Sequence, residues 1–329
     1  MPRLLLILVM LFHGFAHAQD YRAFDYRKAD SIAAHTVMGK GEKYVDIAHR
    51  LTAGLPTEQE KFRSILRWVC DHLEYTEGVY TKDPGQLLKS GKAVCQGYAA
   101  LLFEMCKEIG LECEIITGYA RNEPDDIGKR LKGLEHHAWN AIKLGGNWYL
   151  TDATWASGYY DKKTKTYTRH FNEVYFLSGP DFFSYSHFPR EKKWQLLDKK
   201  VSRHKFLHRP IVWKNYDSLG LRAVAGRAHR FTFVRIPLRL SYRKSQIPLS
   251  DSVTFALEPD CPYYKPKIKP GDANTKTRVR LPMYKRGLHF VTLFINHKAV
   301  ATYKVRTWGI DPDKIEARRA ARKKKREKK

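Results

Sequence analysis

The stretch GKAVCQGYAALLFEMCKEIGLECEIITGYA, residues 91–120, changes texture halfway along. Its first part predicts a helix that begins at Val94 or Cys95. Tyr98, Leu102, Met105 and Ile109 recur on one face, and Gly110 supplies the stop. Its second part, CEIITGYA from Cys113, alternates and is β-branched, which predicts a strand. Upstream, residues 44 to about 73 are helical in pattern. Leu51-Thr52-Ala53-Gly54 closes one helix and Pro56-Thr57 opens another, in which Phe62, Ile65, Leu66, Val69 and Leu73 share a face. Thr57 and Glu60 have the spacing of a capping box. Residues 76–92 are polar and read as a loop.

Downstream, RNEPDDIGKRLKG (121–133) reads as a loop and HHAWNAIKLGGNWYLTDATW (136–155) as a hairpin turning at Gly145-Gly146. NEVYFL (172–177) reads as a further short strand. A helical front half followed by an antiparallel sheet predicts an α+β domain over residues 19–200. From Val201 the helical signal fades. HRFTFVRIPLRLSYR, DSVTFALEPD, TKTRVRLPM and GLHFVTLFINHKAVATYKVRT are strand-like runs punctuated by Pro, Gly and Asp. They predict a small β-sandwich as an accessory domain over 201–310, without a catalytic constellation of its own.

The two ends of the chain bear on its surroundings. Met1 to Arg3 give a short positive start, Leu4 to Phe12 an apolar run, and Ala16-His17-Ala18 a small-x-small cleavage site. This is the pattern of a signal peptide over residues 1–18, with a run too short to span a bilayer. It predicts export to the periplasm or beyond the cell, with cleavage near Ala18. Residues 314–329 hold ten Lys or Arg against two acids, so they carry +8 of a formal net charge of +26. A tail of that kind over 311–329 reads as a disordered, solvated charge run, suited to anionic envelope polymers or lipid headgroups. It has no aromatic residue on which bases could stack, and export argues against nucleic acid as a partner.

Five cysteines, Cys70, Cys95, Cys106, Cys113 and Cys261, leave at least one unpaired in an oxidising compartment. None sits in the paired spacing of a zinc site, and no cofactor is implied. Cys95 and Cys106 are three helical turns apart, about 16 Å along the axis, so they cannot bridge within one helix. Cys70, Cys106 and Cys113 fit the apolar core; a bridge from Cys113 to another segment stays open. Cys95 differs by position. At a helix start, unpaired backbone N–H groups and the dipole favour thiolate over thiol and can stabilise an oxyanion.

A nucleophilic cysteine needs a base, and the base an orienting group. With the hairpin turning at Gly145-Gly146, Asp152 opposes Trp139 and has His137 as its diagonal neighbour on the same face, about 7–8 Å away between backbones. His136 points the other way, and a slip of one residue would exchange the two histidines. Spacing alone does not bring Cys95 to this pair.

Taken together, Cys-x-Gly-Tyr-Ala from Cys95, His-Ala-Trp-Asn from His137 and Asp-x-Thr-Trp from Asp152 resemble the transglutaminase-like superfamily. Within it, the chain is similar to the branch of kyphoscoliosis peptidase and its bacterial relatives. YFLSGPDFFSYSHFP (175–189) and LTAGLPTEQEKFRSILRWVCDHLEY (51–75) fit the same branch. The resemblance implies a papain-like core, with the cysteine on a helix and the histidine and aspartate on an antiparallel sheet. It implies Cys95, His137 and Asp152 as a catalytic triad forming a thioester. The Cys95 backbone N–H is the expected oxyanion donor, with Tyr75 or Gln96 as second-donor candidates, and Trp139, Trp148 and Trp155 as candidate cleft walls.

On this basis the expected activity is that of a cysteine peptidase or amidase acting on a peptide or protein. Crosslinking by acyl transfer to an amine, or a non-catalytic envelope module that binds peptides, are the competing readings. NEPDDIG (122–128) reads as a solvated loop and not as a calcium site.

Overall fold

The structure, a computed structural model, describes residues 24–218 and 286–309 continuously. Elsewhere it describes the strands at 221–225, 229–233, 238–244, 253–258, 263–264, 267–269 and 277–281, together with 317 and 320. The expected signal peptide and nearly all of the basic tail lie outside the described residues.

Three helices open the fold: α1 (Arg27–His35), α2 (Tyr44–Thr52) and α3 (Glu58–His72). The α3 start follows from its capping box. Thr57 Oγ1 accepts from the Glu60 N–H at 3.2 Å, and the Glu60 carboxylate accepts from the Thr57 N–H at 3.3 Å. Phe62, Ile65, Leu66 and Val69 on this helix are all buried. So is Arg63, whose guanidinium bonds Asp30 of α1 and Glu173 at 2.6 Å each and lies over the Phe171 and Phe176 rings. Two carboxylates and two aromatic faces offset the cost of taking that charge out of water.

The segment expected to be a loop at 76–92 is partly ordered. Strand β1 (Glu74–Tyr75) pairs in parallel with β2 (Lys92–Ala93), and α4 (Pro84–Ser90) lies between them. The signals for α4 are local: Asp83 caps the Gln86 N–H at 2.8 Å, Pro84 fits the first turn, and Gly91 ends the helix in the left-handed region.

Helix α5 (Cys95–Glu108) and strand β3 (Cys113–Ala120) stand where the sequence places them. Tyr98, Leu102 and Met105 are fully buried among the α3 residues. Next come β4 (Glu135–Leu144), β5 (Asn147–Thr151), α6 (Ala153–Ser157), β6 (Gly158–Asp161), β7 (Thr166–Arg169), α7 (Pro180–Phe183) and β8 (His187–Pro189). The main sheet is antiparallel in the order β5-β4-β3-β8, with α5 packed against β3 and β4. The hairpin register is the one its two glycines dictate: Leu144 faces Asn147 and Asn140 faces Thr151. The loop at 121–133 contains two short 3-10 turns, Pro124–Asp126 and Leu131–Gly133.

NEVYFL is not a strand. Glu173–Tyr175 forms a 3-10 turn, and Leu177 has φ +44°. The turn sends Glu173 to Arg63 and drops Phe176 into the core. The sheet edge is taken instead by β8, which the sequence reading did not single out.

Beyond α8 (Arg203–Leu207), β9 (Ile211–Val212) and α9 (Asn215–Ser218), the chain is β-rich. Strands β10 (Leu221–Ala225), β11 (His229–Phe233), β12 (Leu238–Lys244), β13 (Val253–Glu258), β14 (Tyr263–Tyr264), β15 (Lys267–Lys269), β16 (Thr277–Leu281), β17 (Gly287–Ile295) and β18 (Lys298–Trp308) form two sheets. Their orders are β10-β12-β16-β15 and β11-β18-β17-β13-β14, and β9 joins the second through β18. An apolar cluster links this region to the first: Phe182 and Tyr185 pack with Ile211, Tyr216, Val291, Leu293 and Tyr303. The chain is thus α+β, with helices on an antiparallel sheet followed by a smaller β-rich part.

At Gly118, β3 is close to both neighbours. A Cβ there would stand 2.3 Å from the Phe188 carbonyl oxygen of β8 and 2.6 Å from the Trp139 ring of β4. Gly118→Ala is expected to destabilise the fold by about 1–3 kcal/mol, as overpacking does. The urea midpoint reads this directly; a midpoint equal to that of the unmodified chain would show that the three strands are not packed so closely.

Candidate active site

Cys95 is the first residue of α5, and only 7% of it is exposed. It packs with Ala99 of its own helix and Ala138 of β4. Asn140 fixes the helix start against the sheet by donating its side-chain amide to the Ala99 carbonyl at 3.0 Å. Behind Ala138 on the same strand, His137 pairs across the sheet with Gly118. Its Nε2 lies 2.7 Å from Asp152 Oδ2. Asp152 stands one residue past the end of β5 and caps α6, its Oδ1 accepting from the Trp155 N–H at 3.0 Å. Its carboxylate is completely buried.

The charges follow from these contacts. Burial by itself raises the Asp152 pKa, but His137 and then His187 more than offset that and hold the carboxyl well below the usual carboxylate range. Since an ionised carboxylate can only accept, both ring nitrogens that face it carry hydrogen. Burial pushes His137 down; the Asp152 carboxylate, and a hydrogen bond with Cys95, overcome this and lift its pKa to about 10. With Nε2 committed to Asp152, Nδ1 is the nitrogen left for the cysteine sulfur. The structure therefore pairs His137 directly with Asp152, and Cys95 acts on His137 from the helix start. His136 is left exposed beside Tyr119, with its Nδ1 3.4 Å from Arg190.

One member of this cluster was not read from the sequence. His187, on β8, places its Nε2 3.0 Å from the same Asp152 oxygen that His137 uses. It too is buried, stacked on Phe183 with ring centroids 3.8 Å apart and edge-on to Trp139. No spacing rule points to it, because β8 lies at the end of YFLSGPDFFSYSHFP, 35 residues from Asp152.

Of the expected supporting residues, Tyr75, Gln96 and Trp155 line a cavity of about 990 Å³ that Cys95 also borders. Burial raises the Tyr75 pKa, with Glu135 and Cys95 adding to it, so its hydroxyl keeps its proton and can donate. Tyr75 and Trp155 also border an adjoining cavity of about 490 Å³, which reaches His137 and the chain at Ile211–Asn215. Trp139 does not wall the cleft. It is 1% exposed and packs against both histidines and Phe183, its ring lying over Gly118 of β3. Trp148 lies elsewhere, edge-on to Trp194 at 5.1 Å.

His137, Asp152 and His187 have ligand atoms within 4.8 Å of one another, the compactness of a metal site. The donor chemistry argues against that use. Both Nε2 atoms hold hydrogen for Asp152, so neither offers a lone pair to a cation.

These shifts make stability depend on pH. Burial lowers the His187 pKa from 6.5 to about 4, against the pull of Asp152. The unfolded chain thus gains a proton that the folded chain refuses, and stability falls as pH drops from 6.5 to 4 by up to about 3 kcal/mol. His137 acts at the other end. Its contribution is complete below pH 6.5 and is lost as pH rises through about 10. His187→Gln is expected to flatten the acid limb of a urea-midpoint profile and to leave the alkaline limb; an unchanged acid limb would disprove the assignment.

Residues 45–153 match the transglutaminase-like superfamily, a span that contains Cys95, His137 and Asp152. Mouse kyphoscoliosis peptidase is 36% identical over 193 residues, 57% of this chain and 29% of the mouse protein. Human kyphoscoliosis peptidase is 39% identical over 156 residues, 46% of this chain and 24% of the human protein. Drosophila melanogaster Hillarin is 23% identical over 212 residues, 60% of this chain and 26% of Hillarin. The chain spans less than a third of the length of these relatives. It is through residues 45–153, with their helix on an antiparallel sheet, that the chain matches the transglutaminase-like superfamily.

Proposed function

We propose that this protein is an exported cysteine-dependent hydrolase that cleaves peptide or protein amides through Cys95, His137 and Asp152. The observation that carries the reading is the buried His137–Asp152 pair at 2.7 Å, on the strand that packs Ala138 against Cys95 at the start of α5. The likeness to two proteins named peptidases supports the reaction class. The leader-like residues 1–18 support export, and the tail suits an anionic surface there.

In the first half-reaction the Cys95 sulfur, as thiolate, attacks the amide carbonyl and an S–C bond forms. The oxyanion takes hydrogen bonds from the Cys95 backbone N–H and from Tyr75 or Gln96. The His137 imidazolium gives its Nδ1 proton to the departing nitrogen, the C–N bond breaks, and a thioester remains. In the second half His137 takes a proton from water, whose oxygen attacks the thioester, releasing the acid and restoring the pair. Asp152 keeps the ring oriented throughout. An amine in place of water would give an amide crosslink by the same steps.

Two measurements test this. Iodoacetamide at pH 6, with the alkylated residue mapped by mass, is expected to modify Cys95 at least about tenfold faster than it modifies glutathione. His137→Ala should remove that excess. A Cys95 rate equal to glutathione, unaffected by the substitution, would sink the reading. A glutamine-containing peptide supplied with a dansylated amine is expected to lose ammonia or be cleaved without taking up the label; stable labelling would favour acyl transfer over hydrolysis.

A further inference from the structure

Asp152 Oδ2 takes hydrogen bonds from two imidazoles, His137 at 2.7 Å and His187 at 3.0 Å, and only the first of these meets the cysteine. His187 is 2% exposed in an aromatic cage of Phe183, Trp139 and Trp155, where a phenylalanine or leucine would pack at least as well. Yet both of its nitrogens are used. Nε2 faces Asp152, and Nδ1 lies 2.8 Å from Ser186 Oγ. With Nε2–H donating, a neutral ring must accept at Nδ1, and the Ser186 hydroxyl, which also reaches the Phe183 carbonyl at 3.4 Å, is the donor placed to hold that tautomer. The segment carrying both residues, the turn into β8, is itself anchored. The Arg121 N–H bonds the Ser186 carbonyl at 3.0 Å, and the buried Arg121 guanidinium bonds the Tyr185 carbonyl at 2.9 Å.

The proton between His137 and Asp152 can rest on either partner, and only the imidazolium–carboxylate arrangement supplies an acid for the leaving nitrogen. Asp152 has no exposure to water, so solvent cannot stabilise its charge. A third protein donor, beside His137 and the Trp155 N–H, favours the carboxylate over the carboxylic acid. We infer that His187 is a positioning residue for this site: by donating its Nε2–H to Asp152 Oδ2 it keeps the carboxylate ionised and aimed, so that the shared proton stays on His137. The inference rests on the Cys95–His137–Asp152 reading and extends it to a Ser186–His187–Asp152–His137–Cys95 chain. Cys70 and Tyr175 also feel Asp152, and burial raises both pKa values, leaving them neutral. Neither can take over the role of His187.

The test is the pH profile of Cys95 alkylation by iodoacetamide in the full chain, with thermal unfolding followed in parallel. His187→Phe keeps the ring and loses the donor. It is expected to slow alkylation at pH 6 roughly tenfold to hundredfold and to move the profile to higher pH, as the loss of a charge-assisted bond predicts. His187→Gln, whose amide can donate to the same oxygen, should restore most of the rate. Ser186→Ala should move the profile in the same direction by a smaller factor, about threefold to tenfold. If His187→Phe does not fold, Ser186→Ala and His187→Gln decide the matter.

An unmoved profile in a folded His187→Phe or Ser186→Ala protein would overturn the inference and leave the nucleophile reading standing. A lowered melting temperature with an unmoved profile would make His187 a packing residue and also overturn it. If instead the unmodified chain alkylates like glutathione at every pH, the nucleophile reading fails, and the inference with it.

Discussion

A carboxylate that no water reaches must find its hydrogen bonds in the protein, and Asp152 is such a carboxylate. Its two oxygens take an N–H from Trp155, one from His137 and one from His187. These donors come from the first turn of α6, from β4 and from β8. Each bond is a condition on the fold: the strands must stand in one register and the helix must begin one residue after β5 ends. Removing a partner from a buried charge costs several kcal/mol, far more than an exposed ion pair returns. The site and the fold's stability are therefore the same set of contacts.

The rest of the architecture serves that set. The hairpin puts Thr151 opposite Asn140, which carries Asp152 to the level of His137. Asn140 in turn holds the start of α5 through the Ala99 carbonyl, so the strand that supplies the histidine also fixes the helix that supplies the cysteine. Gly118 lets β8 approach β3 closely enough for His187 to reach across. Under the helices, Tyr98 donates to the Leu73 carbonyl at 2.8 Å and ties α5 to the end of α3. A rigid helix start is what a nucleophile needs, since small displacements at a reacting centre cost large factors in rate.

Much of this was legible in the sequence where the signal is local. The Thr57–Glu60 box, the alternation of CEIITGYA and the paired glycines of the hairpin each express a backbone preference that tertiary contacts had no reason to override. The choice of His137 over His136 came from the same source, since strand alternation decides it. What escaped the reading depends on distant partners. NEVYFL has the composition of a strand, but Glu173 is drawn to Arg63 and Phe176 to Phe62, and a turn satisfies both. His187 could not be found from spacing, because its significance is a contact with Asp152, 35 residues earlier. The α4 cap was a different kind of miss. Asp83-Pro84 is a legible helix start, hidden by the polar composition around it.

The β-rich region also bears on the site, through the loop that follows β3. That loop supplies Asn122, Glu123 and Asp126 to the wall of the cavity beside Cys95. It is held from the far side. Arg121 reaches the carbonyls of Arg209 and Pro210, the Gly128 N–H reaches Leu207, and Lys304 of β18 lies 3.7 Å from Asp125. Burial, with Arg209 nearby, lowers the Arg121 pKa to about 9, against the opposing pull of Asp126. A cation buried under those terms is stabilised mainly by the carbonyls it gathers: Tyr185 before β8, and Arg209 and Pro210 in the chain leading into the second region. The loop wall is thus set by the segment that joins the two parts, and a change in that junction would reach the cleft without touching Cys95, His137 or Asp152.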